Sequence, residues 1–305
     1  MYSILDDIKG AWNKPNNGLA QLIIINVSVF VLLGILAVFS TLSGLDKVFL
    51  FVYKQFTIPA PFGEFIYRPW TILTYSFAHS FSTLWHIIMN MLVLYWFGRV
   101  FVDYFGSQKL INLYVLGAIA GGITYLLAYN IIPFYTQRAG LFDGMVGASA
   151  AVYAISVGTA TYMPDHRFYL LFLGPVKIKY LVAVYIFLSI LGSVGPNAGG
   201  NLAHLGGALM GFIYARQLMA GREIGVWVFR TMEFIRSFFV KRPTIKVSHR
   251  QSGNSTSRKS SEKSKTPGPA FNQAEIDKIL DKISERGYDS LTKEEKEKLF
   301  NASKK

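Results

Sequence analysis

Charged residues leave long gaps in this chain, and the gaps predict its architecture. No Asp, Glu, Lys or Arg occurs between Lys14 and Asp46, Arg68 and Arg99, Lys109 and Arg138, Asp143 and Asp165, or Lys179 and Arg216. Each gap holds a helix of about 20 residues, the length that crosses a hydrocarbon core of about 30 Å. The last gap is too long for one span and is broken by GSVGPNAGG, from Gly192 to Gly200, so it reads as two. Six transmembrane helices are predicted, over residues 19–40, 84–102, 109–131, 146–163, 179–193 and 200–219. Together they make an all-α polytopic membrane domain over residues 1–220. Asp6 and Asp7 near the N-terminus, and an apolar stretch long enough to remain as a span, argue against a cleavable signal peptide.

The pattern changes after the last span. Residues 221–240 read as an amphipathic juxtamembrane segment. Residues 241–270 are rich in Ser, Lys, Arg and Pro with almost no apolar content, the composition of a disordered linker. In residues 271–305 Ile276, Ile279, Leu280 and Ile283 recur at helical spacing, Gly287 ends that helix, and Thr292 with Glu295 forms a capping box for a second one. A helical module this small has little core of its own.

Composition supports the membrane class, with 51% hydrophobic and only 16% charged residues. The formal net charge of +13 needs no nucleic acid, because the basic residues sit on one side of the predicted bilayer. Lys9, Lys14, Arg99, Lys109, Arg167, Lys177, Lys179 and the tail from Arg216 fall on one side, against Lys47, Lys54, Arg68 and Arg138 on the other. Positive charge inside places both termini in the cytoplasm, and the membrane is expected to be a bacterial inner (cytoplasmic) one. The chain has no cysteine, hence no disulfide and no redox clue to compartment.

Polar side chains within the spans are the place to look for function, since each is unfavourable in hydrocarbon without a partner or a cavity. The second span carries His86 and Asn90, four apart on one helix face, the fourth carries Ser149, and the sixth His204. Counting to the first charge on the basic side gives 13 residues from His86 to Arg99, 16 from Ser149 to Asp165 and 12 from His204 to Arg216. At the helical rise these are heights of roughly 18 to 24 Å, so all three lie at one depth, about 6 to 12 Å below the opposite surface. Gly207 and Gly211 beside His204, and Gly147 with the alanines around Ser149, make two slim helices able to approach closely. Taken singly, a membrane serine bonds the carbonyl one turn back. Taken together, these groups read as a nucleophile with its base.

Other chemistries fit less well. A soluble nucleophile elbow needs a second glycine two residues after the serine, where this chain has Ala151. A zinc site would show HExxH-type spacing, whereas His79 and His86 stand seven apart. A proton-coupled transporter would carry intramembrane Asp or Glu. No metal and no cofactor is expected.

Three stretches, RPWTILTYSFAHSFSTLWHIIMNMLVLYWFG, VGASAAVYAI and AHLGGALMG, resemble in order the signature regions of the rhomboid intramembrane serine proteases. The likeness covers about residues 15–220, and the tail is similar to a short extension on rhomboids of Bacteroidetes-type bacteria. The resemblance implies a six-helix bundle with Ser149 as nucleophile, His204 as general base, and His86 and Asn90 as oxyanion-hole side chains joined by the Ser149 N–H. Tyr153 matches an aromatic residue packed on the base. The partners implied are transmembrane protein substrates in the lipid bilayer, without nucleic acid. The family usually has glycine directly after the nucleophile, where this chain has Ala150. The alternative is a proteolytically inactive relative that binds or escorts membrane clients, although such proteins typically lack the serine or the base. The residues 41–83 loop is expected to lie partly in the membrane interface, and the Gly192–Gly200 loop to act as a cap.

Overall fold

The computed structural model describes residues 3–140, 144–170, 174–239 and 273–303. The chain divides into two compact units between Pro243 and Thr244. In the first, helix α1 (Ile4–Asn13) opens on a capping box in which Ser3 and Asp6 satisfy each other's backbone N–H. Helix α2 (Gly18–Leu42) follows, and its outward face, with Leu32, Ile35, Val38, Phe39 and Leu42 exposed, suits hydrocarbon as the surrounding solvent.

The long first loop is folded rather than open. It holds α3 (Asp46–Tyr53), α4 (Phe62–Phe65) and α5 (Thr71–Thr74), with single 3₁₀ turns at Lys54–Phe56 and Tyr75–Phe77. Two links tie it to the chain before Ser149. Ile58 and Met145 exchange backbone hydrogen bonds of 3.1 and 3.0 Å, and the Gly147 N–H donates to the Tyr75 carbonyl at 2.9 Å.

Helices α6 (Trp85–Phe105), α7 (Ser107–Ile131), α8 (Pro133–Thr136), α9 (Ser149–Tyr162), α10 (Ile178–Gly192) and α11 (Ala198–Met219) complete the membrane-embedded part. Three helices, α2, α6 and α7, are long and apolar enough to cross a membrane, and α10 is a shorter apolar helix. A helix covers each predicted span. The fourth is the shortest of the six, because residues 145–147 are held in extended and positive-φ backbone by the two links above. It is also the most enclosed: Ala150, Ala151, Val152, Ala154, Ile155, Ser156, Val157, Gly158, Thr159 and Ala160 are all buried. Small side chains let α7 and α11 pack directly on its backbone, the packing that drives helix association where lipid supplies no hydrophobic force.

Between α9 and α10, strands β1 (Arg167–Leu170) and β2 (Gly174–Lys177) pair antiparallel. Lys177 and Lys179, 2.8 and 2.9 Å from Asp165, clamp the start of this hairpin and hold the Asp165 carboxyl down at about 2. Helix α12 (Val226–Phe239) buries Val228 and exposes Trp227, Phe234, Ile235 and Phe238.

In the second unit, α13 (Gln273–Arg286) ends at Gly287 with φ of 76°, and α14 (Lys293–Ser303) begins with Thr292 and Glu295 capping each other. Ile279 and Leu291 are its buried apolar side chains among the described residues. The expected linker, residues 241–270, lies outside the described residues.

Candidate active site

Ser149 is the first residue of α9, and the chain reaches it through Gly147 at φ of +139°. That backbone suits glycine on conformational grounds alone. It is also a close approach: a Cβ there would sit 3.0 Å from His86 Nε2 and 3.6 Å from Ser149 Oγ. As at any helix start, the first N–H groups of α9 have no intrahelical partner, and the Ala148 side chain caps none of them.

His204 reaches Ser149 from α11, with Nε2 2.7 Å from Ser149 Oγ. Glycines make this approach possible. A Cβ on Gly207 would run into the Ala150 carbonyl, and one on Gly211 into the Ala154 carbonyl, so α11 rests on the α9 backbone at two successive turns. The imidazole lies flat on Tyr153, ring centroids 4.3 Å apart and planes 13° from parallel. Its other nitrogen, Nδ1, is 3.2 Å from Ser189 Oγ on α10.

His86 and Asn90 stand one turn apart on α6, and Asn90 Nδ2 donates to the His86 carbonyl at 2.9 Å, leaving its second N–H. With Ser149, Tyr153 and His204 they line one cavity of about 270 Å³. Met89, Val93 and Val152 supply its apolar wall, and no Asp, Glu, Lys or Arg is among its described lining residues. His86 also borders a second cavity of about 510 Å³, walled by Ser80, Ser82, Thr83, Tyr125 and Asn197. The hydroxyl and amide groups there suit water, so His86 stands between a polar cavity and an apolar one.

All the residues singled out by depth are thus brought together. Two others went unread: Ser156, buried and lining the 270 Å³ cavity, and Ser189, 1% exposed beside His204. The same rule, that a polar group in a span needs a partner, would have reached Ser189 had it been applied to the fifth span.

Ala150, the departure from the usual glycine, has a local explanation. Its methyl faces Gly121 on α7, where an added Cβ would come within 2.5 Å of it. The absent side chain on α7 makes room for the extra methyl on α9. Ala150→Gly should therefore leave the rate of any reaction at Ser149 within about threefold, and lower the melting temperature by a few degrees, as expected for one vacated methyl and a less favourable helix residue. A parallel measurement of labelling rate and thermal unfolding checks both.

Comparison with known proteins adds the lineage. The chain is 31% identical over 195 residues to Rhomboid protein 1, mitochondrial, of Saccharomyces cerevisiae, covering 61% of this chain and 51% of that protein. It is 32% identical over 160 residues to RHOMBOID-like protein 12, mitochondrial, of Arabidopsis thaliana, covering 50% and 47%. It is 27% identical over 225 residues to Rhomboid-like protein 16, chloroplastic, of the same plant, covering 70% and 66%. The chain spans about half the length of the first two. These names, mitochondrial and chloroplastic, point to organelles and overturn the expectation of a bacterial inner membrane. The physical reason is that basic-residue asymmetry orders the two faces of a bilayer but carries no information about which membrane it is. Residues 270–305 match a family of unknown function (DUF6576). Residues 67–221, which hold α6, α9 and α11 with the serine and both histidines, match the Rhomboid domain over just over half of the chain, and the chain belongs to the rhomboid family.

Proposed function

We propose that this chain is an intramembrane serine endopeptidase that cleaves transmembrane protein substrates, with Ser149 as nucleophile and His204 as general base. The observation that carries the reading is the 2.7 Å approach of His204 Nε2 to Ser149 Oγ in a cavity shared with His86 and Asn90. A serine hydroxyl is a weak nucleophile until a base takes its proton. His204 accepts that proton as Oγ attacks the scissile carbonyl, then returns it to the leaving amine, which leaves an acyl-enzyme on Ser149. Water admitted through the polar cavity beside His86 releases the acyl group. The apolar wall of the smaller cavity suits a residue of a membrane-spanning segment, and rhomboid proteins as a family act on such segments within the bilayer.

Oxygen of the attacked carbonyl gains negative charge in a site with no Lys or Arg among its described lining residues, so neutral donors stabilise it. A ring N–H of His86, the free N–H of Asn90 and the Ser149 backbone N–H are the donors that border the space. Removing one such donor typically reduces turnover a hundredfold or more. His86→Ala and Asn90→Ala are each expected to lower kcat by about that factor with little change in KM, since the interaction forms only in the transition state. Steady-state cleavage of a transmembrane substrate in lipid measures it; a pure KM effect would remove both residues from this role.

The direct test is covalent. A fluorophosphonate should label the protein at Ser149, located by peptide mass spectrometry, and the same preparation should cleave a transmembrane substrate. Absence of both, on folded protein and several substrates, would favour the inactive client-binding relative.

A further inference from the structure

Behind His204 runs a line of hydrogen bonds whose direction is set by its far end. That end is the Tyr185 carbonyl on α10, which can only accept. Tyr153 Oη lies 3.3 Å from it and donates. Ser189 Oγ lies 2.9 Å from Tyr153 Oη and 3.2 Å from His204 Nδ1. A tyrosine and a serine have one hydroxyl proton each. With the Tyr153 proton on the carbonyl, its oxygen accepts from Ser189, and Ser189, its proton given to Tyr153, offers His204 only a lone pair. Nδ1 must then carry the imidazole proton. Nε2, facing Ser149, is left with the lone pair that a base requires.

We infer that Ser189 is a positioning residue which, with Tyr153, locks His204 in the Nδ1–H tautomer and aims Nε2 at Ser149. The inference rests on the reading of His204 as the base. The role is the one a buried carboxylate fills behind the histidine of a Ser-His-Asp triad. A carboxylate in this place would bring a charge into the hydrocarbon layer, and a chain of hydroxyls ending on a carbonyl orients the ring without one.

Two features separate this from an ordinary membrane-helix serine. Such a serine bonds the carbonyl one turn back on its own helix, which for Ser189 is that of Tyr185. Here Tyr153 occupies that carbonyl, and the Ser189 hydroxyl turns across to α9 and α11 instead. Secondly, α10 is largely lipid-facing, with Val184, Phe187, Leu188, Ile190 and Leu191 exposed, and Ser189 is one of only three buried residues along it, with Ile178 and Val182. Its hydroxyl is spent on the base and on the tyrosine stacked on that base.

The test reads the tautomer directly and does not depend on turnover. Full-length protein labelled with ¹⁵N-histidine is examined in lipid nanodiscs at mildly alkaline pH by long-range ¹H–¹⁵N correlation, with the His204 ring identified by its loss in His204→Ala. Wild type should show His204 protonated at Nδ1. Ser189→Ala and Tyr153→Phe should each bring in the Nε2–H form, Tyr153→Phe while keeping the ring that stacks on His204, and Ser189→Thr should restore the Nδ1–H form. In cleavage assays Ser189→Ala and Tyr153→Phe should lower kcat by about ten- to a hundredfold at nearly constant KM, and the double variant should be no slower than the worse single one. Nε2–H in wild type, or a tautomer indifferent to both substitutions, overturns the inference. If the tautomer shifts as expected while wild type neither labels nor cleaves, Ser189 keeps its positioning role and the protease reading falls.

Discussion

Ser149→Ala and His204→Ala are each expected to abolish fluorophosphonate labelling and to reduce cleavage of a transmembrane substrate by on the order of 10⁵-fold or more, the scale seen when nucleophile or base is removed from a serine protease. The pair acts as a unit, so the double variant should be no worse than either single one. Ser149→Ala removes one oxygen at the first turn of α9 and introduces the best helix former, so the fold should hold. His204→Ala also removes the ring that stacks on Tyr153, and its thermal unfolding must be measured beside its activity. A His204→Ala protein that is folded and still labels at Ser149 at the wild-type rate would sink the assignment of the base.

The second large effect is steric. Gly207→Val is expected to prevent the two helices from meeting, because its Cβ is directed at the Ala150 carbonyl, which is backbone and cannot rotate aside. Even the single methyl of Gly207→Ala forces α11 outward, and overpacking of this kind costs about 1 to 3 kcal/mol. Any such movement also stretches the 2.7 Å contact between His204 and Ser149, which sit on those two helices. Gly207→Ala should therefore lose labelling by about a hundredfold with a lowered melting temperature, since displacements of about 1 Å have effects of this size, and Gly207→Val should lose it entirely. Gly63→Ala, at a glycine with open space around it, is the control and should change neither. Wild-type labelling in a folded Gly207→Val protein would mean that the helices do not need this approach.

What could be read in advance follows from which quantities are one-dimensional. Hydrocarbon excludes charge, so the spans could be read as gaps between charged residues. Helical rise is constant, so the common depth of His86, Ser149 and His204 could be counted along the chain. The positions of Gly147, Gly207 and Gly211 could be read as close approaches because glycine and its neighbours lack the atoms that would prevent them. The membrane itself could not be read, because charge asymmetry names a side and not a compartment.

Azimuth around each helix has no such one-dimensional code. Only the packing of α9 between α7 and α11 decides that Ser149 faces His204, that Gly121 receives the Ala150 methyl, and that Ser189 from the next helix meets Nδ1. The start of α9 was equally out of reach, since it is set by Ile58 and Tyr75, far back in the chain, whose backbones hold Met145 and Gly147 out of the helix. Depth and class were determined by the sequence because solvent and helix geometry act on every residue independently. Contact was decided by tertiary structure because it depends on pairs of residues far apart in the chain.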